Sequence, residues 1–206
     1  MTPPPPATAA ASATAPPAGG HEHELSFLRK YIFSTDHKII GIQFLITVFF
    51  TLMLGGLLAL GIRWQLAYPW SEVPIFGKLL FAKQGGIMPP EFYIMLVTMH
   101  ASVMIFLVII PALTGAFGNF VLPLQIGARD MAFPRMNLFS YWFMWPAIAF
   151  FLSSFFVEGG AASAGWTSYP PLADVAAAAP GSHLGPSVWL AGMLGSGMSS
   201  RLGSMT

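Results

Sequence analysis

His100 is the one ionisable side chain in residues 95–115, which read MLVTMHASVMIFLVIIPALTG. The other side chains of this segment are apolar or carry small hydroxyl groups. An ionisable group within a membrane-spanning segment is costly and marks a functional site by default. Neutral imidazole can ligate haem iron through one ring nitrogen while the other nitrogen donates a hydrogen bond. It can also relay protons, or simply be a structural side chain, and His100 alone does not decide among these roles.

Arg63 lies in GIRWQL, directly after an apolar run that ends at Ile62. Arginine at the end of a membrane helix commonly extends its guanidinium to the membrane surface. The same side chain could instead hold a carboxylate or formyl group of a cofactor that lies between helices. The sequence leaves both interpretations open.

Asp130 lies between Arg129 and Arg135 in the polar stretch GNFVLPLQIGARDMAFPRMN. It could be an exposed loop carboxylate that forms ion pairs with these arginines. Alternatively, it could collect protons at a channel mouth, where Asn119 and Asn137 would hold a chain of water molecules. The sequence alone favours the first interpretation, in which Asp130 is an exposed loop carboxylate.

These residues are set in a chain whose composition is typical of membrane proteins. Of its 206 residues, 55% are hydrophobic and only 8% are charged, whereas soluble domains carry about 25% charge. There is no basic cluster of the kind that nucleic-acid-binding proteins show, so we expect no nucleic-acid partner. The absence of cysteine excludes disulfides, iron–sulfur ligation and cysteine-ligated zinc.

Four apolar segments predict the fold class, an all-α polytopic membrane helical bundle. A helix needs about 20 apolar residues to cross a bilayer, and the predicted spans are about 39–62, 92–122, 137–157 and 186–206. Pro111 and Pro123 predict a kinked or tilted second span in which neighbouring side chains satisfy the freed backbone groups. Recurrent glycine and serine predict close helix packing. Tyr141, Trp142 and Trp145 suit an aromatic belt at the membrane surface.

The first 24 residues differ from the membrane portion, 25–206. They are rich in proline and alanine and lack the basic start and compact apolar run of a signal peptide. We therefore predict a disordered tail. The HEHE tract at 21–24 has metal-ligating residue types, but in such a tail it is more often simply solvated.

The distribution of lysine and arginine predicts the orientation in the membrane. The segment before the first span and the loop between the second and third spans hold Arg29, Lys30, Lys38, Arg129 and Arg135. The loop between the first two spans holds Lys78 and Lys83, and residues 158–185 hold neither lysine nor arginine. The positive-inside rule then places the N-terminus and Asp130 on the cytoplasmic side.

Three long motifs resemble subunit I of haem–copper terminal oxidases of the cytochrome c oxidase type. They are STDHKIIG at 34–41, the His100 segment continuing into GAFGNFVLPLQIGARDMAFPRMN, and GWTSYPPLA at 165–173. The resemblance runs from about Tyr31 to Ser204. It implies that the chain is an N-terminal piece holding about four of the family's approximately twelve membrane helices.

The resemblance implies roles for individual residues. His100 matches one of the two axial ligands of the low-spin haem, Arg63 matches an arginine that bonds a peripheral group of that haem, and Tyr93 and Trp166 match residues beside it. Asp130 matches the entrance of a proton channel. Four further residues match polar groups along that channel: Asn119, Asn137, Ser199 and Ser200.

The resemblance also implies what the whole protein does. It would pass electrons from cytochrome c or a similar donor through a low-spin haem, expected to be haem A, to a haem–copper centre that reduces oxygen to water with proton pumping. The second haem and the copper would be held by the remainder of subunit I. Other oxidase subunits would be partners, in the bilayer of a bacterial inner membrane.

Two other classes of function remain open from the sequence. The chain could be a proton-coupled transporter or channel in which His100 and Asp130 form a relay without haem. It could also be a helical anchor in a complex, with no redox role. Haem that is lost when His100 is replaced would indicate the oxidase. Protein without haem would indicate a transporter, a channel or an anchor, and proton-coupled uptake would then favour the transporter.

Overall fold

The computed structural model describes residues 26–173 and 184–206, which form helices joined by loops and contain no strand. Four long helices dominate: α1 (His37–Ala67), α2 (Pro90–Ile126), α3 (Pro134–Phe156) and α4 (Leu184–Ser204). A short π-helical turn, Leu28–Ile32, precedes α1. The predicted tail, the HEHE tract and His183 lie outside the described residues.

Local sequence signals set the ends of these helices. The carboxylate of Asp36 caps α1 by accepting from the backbone N–H of Lys38 at 2.8 Å. Pro90 and Pro134 occupy the first positions of α2 and α3, where the missing N–H costs nothing. Gly127 follows α2 with a φ of 69°, the left-handed conformation that ends many helices.

The prediction of an all-α membrane bundle is confirmed. Among the described residues, three helices are long and apolar enough to cross a membrane, namely α1, α2 and α3. Helix α4 is 21 residues long but is not among the three, because its glycines, serines and Arg201 lower its hydropathy. Each of the four predicted spans overlaps one of these helices.

Helices α1 and α2 run antiparallel along most of their length. Three hydrogen bonds between them set the register, joining His37 to Asn119, Thr51 to Leu107 and Gly55 to His100. Helices α3 and α4 form a second antiparallel pair. The bundle therefore has an Asp130 end, where α1 and α3 begin and α2 and α4 finish, and an opposite Trp166 end.

Glycine allows α4 to approach α3 closely, as the small residues predict. A Cβ atom at Gly192 would lie 2.7 Å from a ring carbon of Phe151 and 3.1 Å from the backbone oxygen of Ala147. At Gly195 it would lie 3.0 Å from the Cβ of Ala147. Larger side chains would push the helices apart, because membrane helices associate mainly through such close packing.

The prolines of α2 coincide with an altered helix and with side-chain donors from neighbouring helices. Residues Val103–Ile109 and Pro111–Phe117 are π-helical, so each N–H there bonds the carbonyl five residues earlier. Pro111 has no N–H to offer the carbonyl of Phe106, and the hydroxyl of Ser196 donates to that oxygen at 2.7 Å. The prediction that neighbours satisfy backbone groups freed by proline is confirmed here.

The core lies where all four helices meet. Its fully or almost fully buried side chains include Ile40, Phe44, Met99, Leu107, Met144, Phe151 and Trp189. Tyr141 also belongs to this core, with 7% of its surface exposed and its ring edge-on to Phe44. The prediction that Tyr141 lies in a surface aromatic belt is therefore wrong, because this residue is on the face of α3 that packs against α1. Trp145, 40% exposed, is on the outer surface of the bundle.

Candidate functional site

His100 is half-buried on α2 and faces α1. Its Nδ1 lies 3.0 Å from the backbone oxygen of Gly55. A carbonyl oxygen only accepts hydrogen bonds, so Nδ1 carries the proton and the lone pair of the neutral ring is on Nε2. Among the described residues, no group forms a hydrogen bond with Nε2. A metal-ligating histidine is commonly oriented in this way, with one nitrogen donating to a carbonyl and the other free for the metal.

Two adjacent glycines shape the surface of α1 next to this imidazole. Gly55 is buried, and a Cβ there would lie 2.6 Å from the sulfur of Met104. At Gly56, by contrast, a Cβ would have no neighbour within 4 Å. The bundle is thus open beside Gly56, next to the residue that holds His100. The orientation of His100 fits that of a haem-iron ligand, and Gly56 leaves an open surface one residue further along α1.

Arg63 and Tyr93 both lie toward the Trp166 end from His100. Arg63 is exposed and forms no ion pair or hydrogen bond with any described residue. It follows Gly56 by seven residues, two helical turns, so the two share a face of α1. Tyr93 precedes His100 by the same interval on α2 and packs against the buried cluster formed by Phe81, Met88 and Leu96.

Trp166 lies elsewhere around α2. Its ring centroid is 6.0 Å from that of Phe106, and the N–H of Gly165 donates to the hydroxyl of Thr98 at 3.0 Å. At about 100° per residue, Thr98 is about 200° around the helix from His100. The described contacts therefore place Trp166 beside Phe106, six residues beyond His100 along α2, and not on the face of α2 that carries His100.

The described residues provide one candidate iron ligand, not two. They contain no group of three or more histidine, cysteine, aspartate or glutamate side chains that could hold a metal ion. Their other histidine, His37, lies about 27 Å along α1 from Gly55 at 1.5 Å per residue. That distance excludes His37 as the second axial ligand of an iron bound to His100.

Asn119 and Asn137 lie together in the bundle at the Asp130 end. The amide nitrogen of Asn137 donates to the side-chain oxygen of Asn119, whose own amide nitrogen donates to the backbone oxygen of Gly115. Both asparagines are at most 2% exposed. The side-chain oxygen of Asn137 is buried without a hydrogen-bond partner, so this pair retains an acceptor for a further donor such as water.

Asp130 is exposed in the loop between α2 and α3, where its carboxylate accepts from the N–H of Met131 at 2.8 Å. It forms no ion pair with a described residue, including Arg129 and Arg135. The loop therefore leaves this carboxylate open to solvent. Asp130 also lines a groove of about 790 Å³ whose other walls are mostly apolar.

A small cavity lies next to this groove, inside the bundle. Its volume is about 10 Å³, close to the smallest space that holds a water molecule. Asn119, Ser199 and Ser200 line it. Thr114 and Gly203 line both spaces, so the groove of Asp130 and the cavity are neighbours.

Two hydroxyl-bearing residues that line the cavity were not among the candidates from the sequence, namely Thr114 and Ser196. Ser196 donates to the backbone oxygen of Phe106 at 2.7 Å, and Ser199 donates to that of Ser140 at the same distance. The spacing of Ser196, Ser199 and Ser200 could have indicated a shared helix face, because residues three and four apart are neighbours. Thr114 has no comparable signal in the sequence.

Comparison with known proteins supports one family for the chain. Residues 39–206 match the model of the family described as cytochrome c and quinol oxidase polypeptide I. The chain is 42% identical over 175 residues to cytochrome c oxidase subunit 1 of Thermostichus vulcanus, and 40% identical over 167 residues to that of Candida albicans. These alignments cover 85% and 81% of this chain.

The chain spans 28% of the length of each of these relatives. The family match nevertheless includes the four long helices except the first two residues of α1, and both groups of candidate residues, those around His100 and those between Asn119 and Ser200. The chain thus belongs to the cytochrome c and quinol oxidase polypeptide I family.

Proposed function

We propose that this chain contributes an axial haem ligand and the entrance of a proton path to the catalytic subunit of a respiratory terminal oxidase. The whole enzyme would pass electrons from cytochrome c or a similar donor through a low-spin haem to a haem–copper centre, where oxygen is reduced to water with proton pumping. Other oxidase subunits and the remainder of subunit I would be its partners. Its N-terminus would face the cytoplasm of a bacterium, with Asp130 on the same side.

The geometry of His100 is the observation that carries the proposal. Hydrogen bonding to Gly55 orients the imidazole and leaves Nε2 without a partner among the described residues. The haem, expected to be haem A, would supply a reversible one-electron couple when bound. Arg63 would hold a peripheral carboxylate or formyl group, since its guanidinium has no protein partner in the described part of the chain.

The proton path is the second part of the proposal. Asp130 would take up protons at the solvent-exposed loop, and water in the groove would carry them past Thr114 to the cavity beside Ser199 and Ser200. Asn119 lines the cavity and would order that water, and Asn137 would hold Asn119 in place by the hydrogen bond between their side chains. The second haem and the copper would be bound by residues beyond these helices.

The reduced-minus-oxidised spectrum of the purified complex tests the haem assignment. We expect His100→Ala to abolish the low-spin haem signal. His37→Ala is the control, since His37 is also hydrogen-bonded to a backbone oxygen but lies about 27 Å away. A normal low-spin signal in His100→Ala would exclude His100 as the ligand. Wild-type protein without haem would favour a transporter or a structural anchor instead.

A further inference from the structure

The side of α2 opposite His100 carries two buried hydroxyl groups. Thr98 and Ser102 lie two residues before and two residues after His100. At about 100° per residue, each is about 200° around the helix from the histidine, so the two share the opposite face. Thr98 is 3% exposed and Ser102 is 0% exposed. Neither residue belongs to the proposed haem contacts or to the proposed proton path.

Two donors from other parts of the bundle bind these hydroxyl groups. The indole N–H of Trp189, on α4, donates to the Oγ of Ser102 at 3.1 Å. The backbone N–H of Gly165, in the segment that follows α3, donates to the Oγ1 of Thr98 at 3.0 Å. The turn of α2 that carries His100 is therefore joined both to α4 and to the segment that contains Trp166.

The two hydroxyl groups form one linked cluster. The Oγ of Ser102 donates to the backbone oxygen of Thr98 at 2.8 Å, while the same oxygen accepts from Trp189. A hydroxyl group has one proton and two acceptor lone pairs, so it can do both. Trp189 is 1% exposed, and solvent therefore does not replace Ser102 as the acceptor for its indole N–H. These bonds hold α2 in one rotation about its axis.

Helix α1 holds the same turn of α2 from the other side. The Nδ1 of His100 donates to the backbone oxygen of Gly55 at 3.0 Å. Among the described residues, the nearest other hydrogen bond between α1 and α2 joins Thr51 to Leu107, about 10 Å farther along α2. The direction of the imidazole therefore depends on bonds to both sides of this turn, and rotation of α2 would strain the bond to Gly55.

We propose that Thr98 and Ser102 are positioning residues that fix the direction of the His100 imidazole. This inference rests on the proposed function, in which His100 binds the iron of a low-spin haem. The two hydroxyl groups act through the backbone of α2 and do not touch the haem. Partners that orient a ligating histidine tune the metal that it binds, and ligation and its surrounding hydrogen bonds are among the protein's means of setting haem properties.

Electron paramagnetic resonance of the oxidised complex tests this proposal, together with the midpoint potential of the low-spin haem. Both quantities depend on the orientation of the axial imidazole. Thr98→Val replaces the hydroxyl by a methyl group of similar size, whereas Thr98→Ser keeps the hydroxyl. We expect Thr98→Val to retain the haem and to shift its g-values and potential. Thr98→Ser should have the wild-type values.

The bond between Ser102 and Trp189 gives an independent pair of variants. Ser102→Ala and Trp189→Phe each remove this one hydrogen bond, so each should shift the g-values. The double variant should shift them by less than the sum of the two, because the two changes remove the same bond. Ser154→Ala is the control, since the buried hydroxyl of Ser154 donates to Phe151 within its own helix. It should leave the haem signals unchanged.

Hydrogen exchange provides a readout that does not involve the haem. The amide of Gly165 should exchange about fivefold faster in Thr98→Val than in Thr98→Ser, the effect of about one hydrogen bond. Wild-type g-values in both Thr98→Val and Ser102→Ala would overturn the proposal, as would equal shifts in Thr98→Val and Thr98→Ser. A wild-type complex without low-spin haem, or a normal signal in His100→Ala, would instead refute the proposed function and this inference with it.

Discussion

The Nδ1 of His37 lies 2.7 Å from the backbone oxygen of Asn119. That oxygen lacks its ordinary helical donor, because Pro123 occupies the position four residues later and has no N–H. The imidazole of α1 therefore replaces a backbone hydrogen bond of α2. Since the side chain of Asn119 pairs with Asn137, His37 also holds the backbone of a residue in the proposed proton path.

A double-mutant cycle measures the coupling energy between His37 and Pro123. We expect His37→Ala to lower the free energy of unfolding by about 1–3 kcal/mol, because it leaves a buried carbonyl unpaired. In a Pro123→Ala background, the alanine N–H supplies the missing donor, so loss of His37 should cost less. Unfolding of the four variants in mixed micelles gives the coupling energy. Strictly additive effects would show that the imidazole does not compensate for Pro123.

Two glycines of α4 provide a test of its close approach to α3. Gly192→Ala should destabilise the protein by about 1–3 kcal/mol, since the added Cβ meets Phe151 and the backbone of Ala147. Gly197→Ala is the control on the same helix, because a Cβ there meets nothing within 4 Å. It should be neutral or stabilising by up to about 1 kcal/mol. Equal losses of thermal stability in both variants would contradict the packing.

The asparagine pair predicts a linked effect on stability and proton transfer. Asn137→Leu removes the donor to Asn119 and the unpaired acceptor together. We expect a loss of about 1–3 kcal/mol in the free energy of unfolding and slower proton uptake by the oxidase. Ser153→Ala serves as the control, since the Ser153 hydroxyl bonds only within its own helix. Proton uptake at the wild-type rate in Asn137→Leu would remove the pair from the path.

Asp130 is predicted to accept protons from solvent. Asp130→Asn keeps the shape of the side chain and removes the titratable group, so proton uptake by the purified oxidase in vesicles should slow on the order of 10-fold or more. Glu91→Gln removes a carboxylate at the Trp166 end and should have no such effect. If the two variants take up protons equally fast, Asp130 has only the role of an exposed loop residue.

Much of the architecture follows from local sequence. The apolar segments predict helices because a bilayer offers no water to satisfy exposed backbone groups. Proline and glycine at particular positions predict where α2 bends and where α4 packs. His100 and Asp130 stand out for the same reason, since an imidazole or carboxylate is conspicuous among or beside apolar residues.

The sequence by itself therefore determined the helical membrane fold, the candidate residues and, through three long motifs, the family. Only the tertiary structure decided which backbone oxygen orients His100, that Thr114 lines two neighbouring spaces, that Tyr141 is buried and that Trp166 lies on another face of α2. These features depend on the rotation and register of one helix against the next. Side-chain packing between helices sets both quantities, and it joins residues far apart in the chain, which periodicity within one segment does not encode.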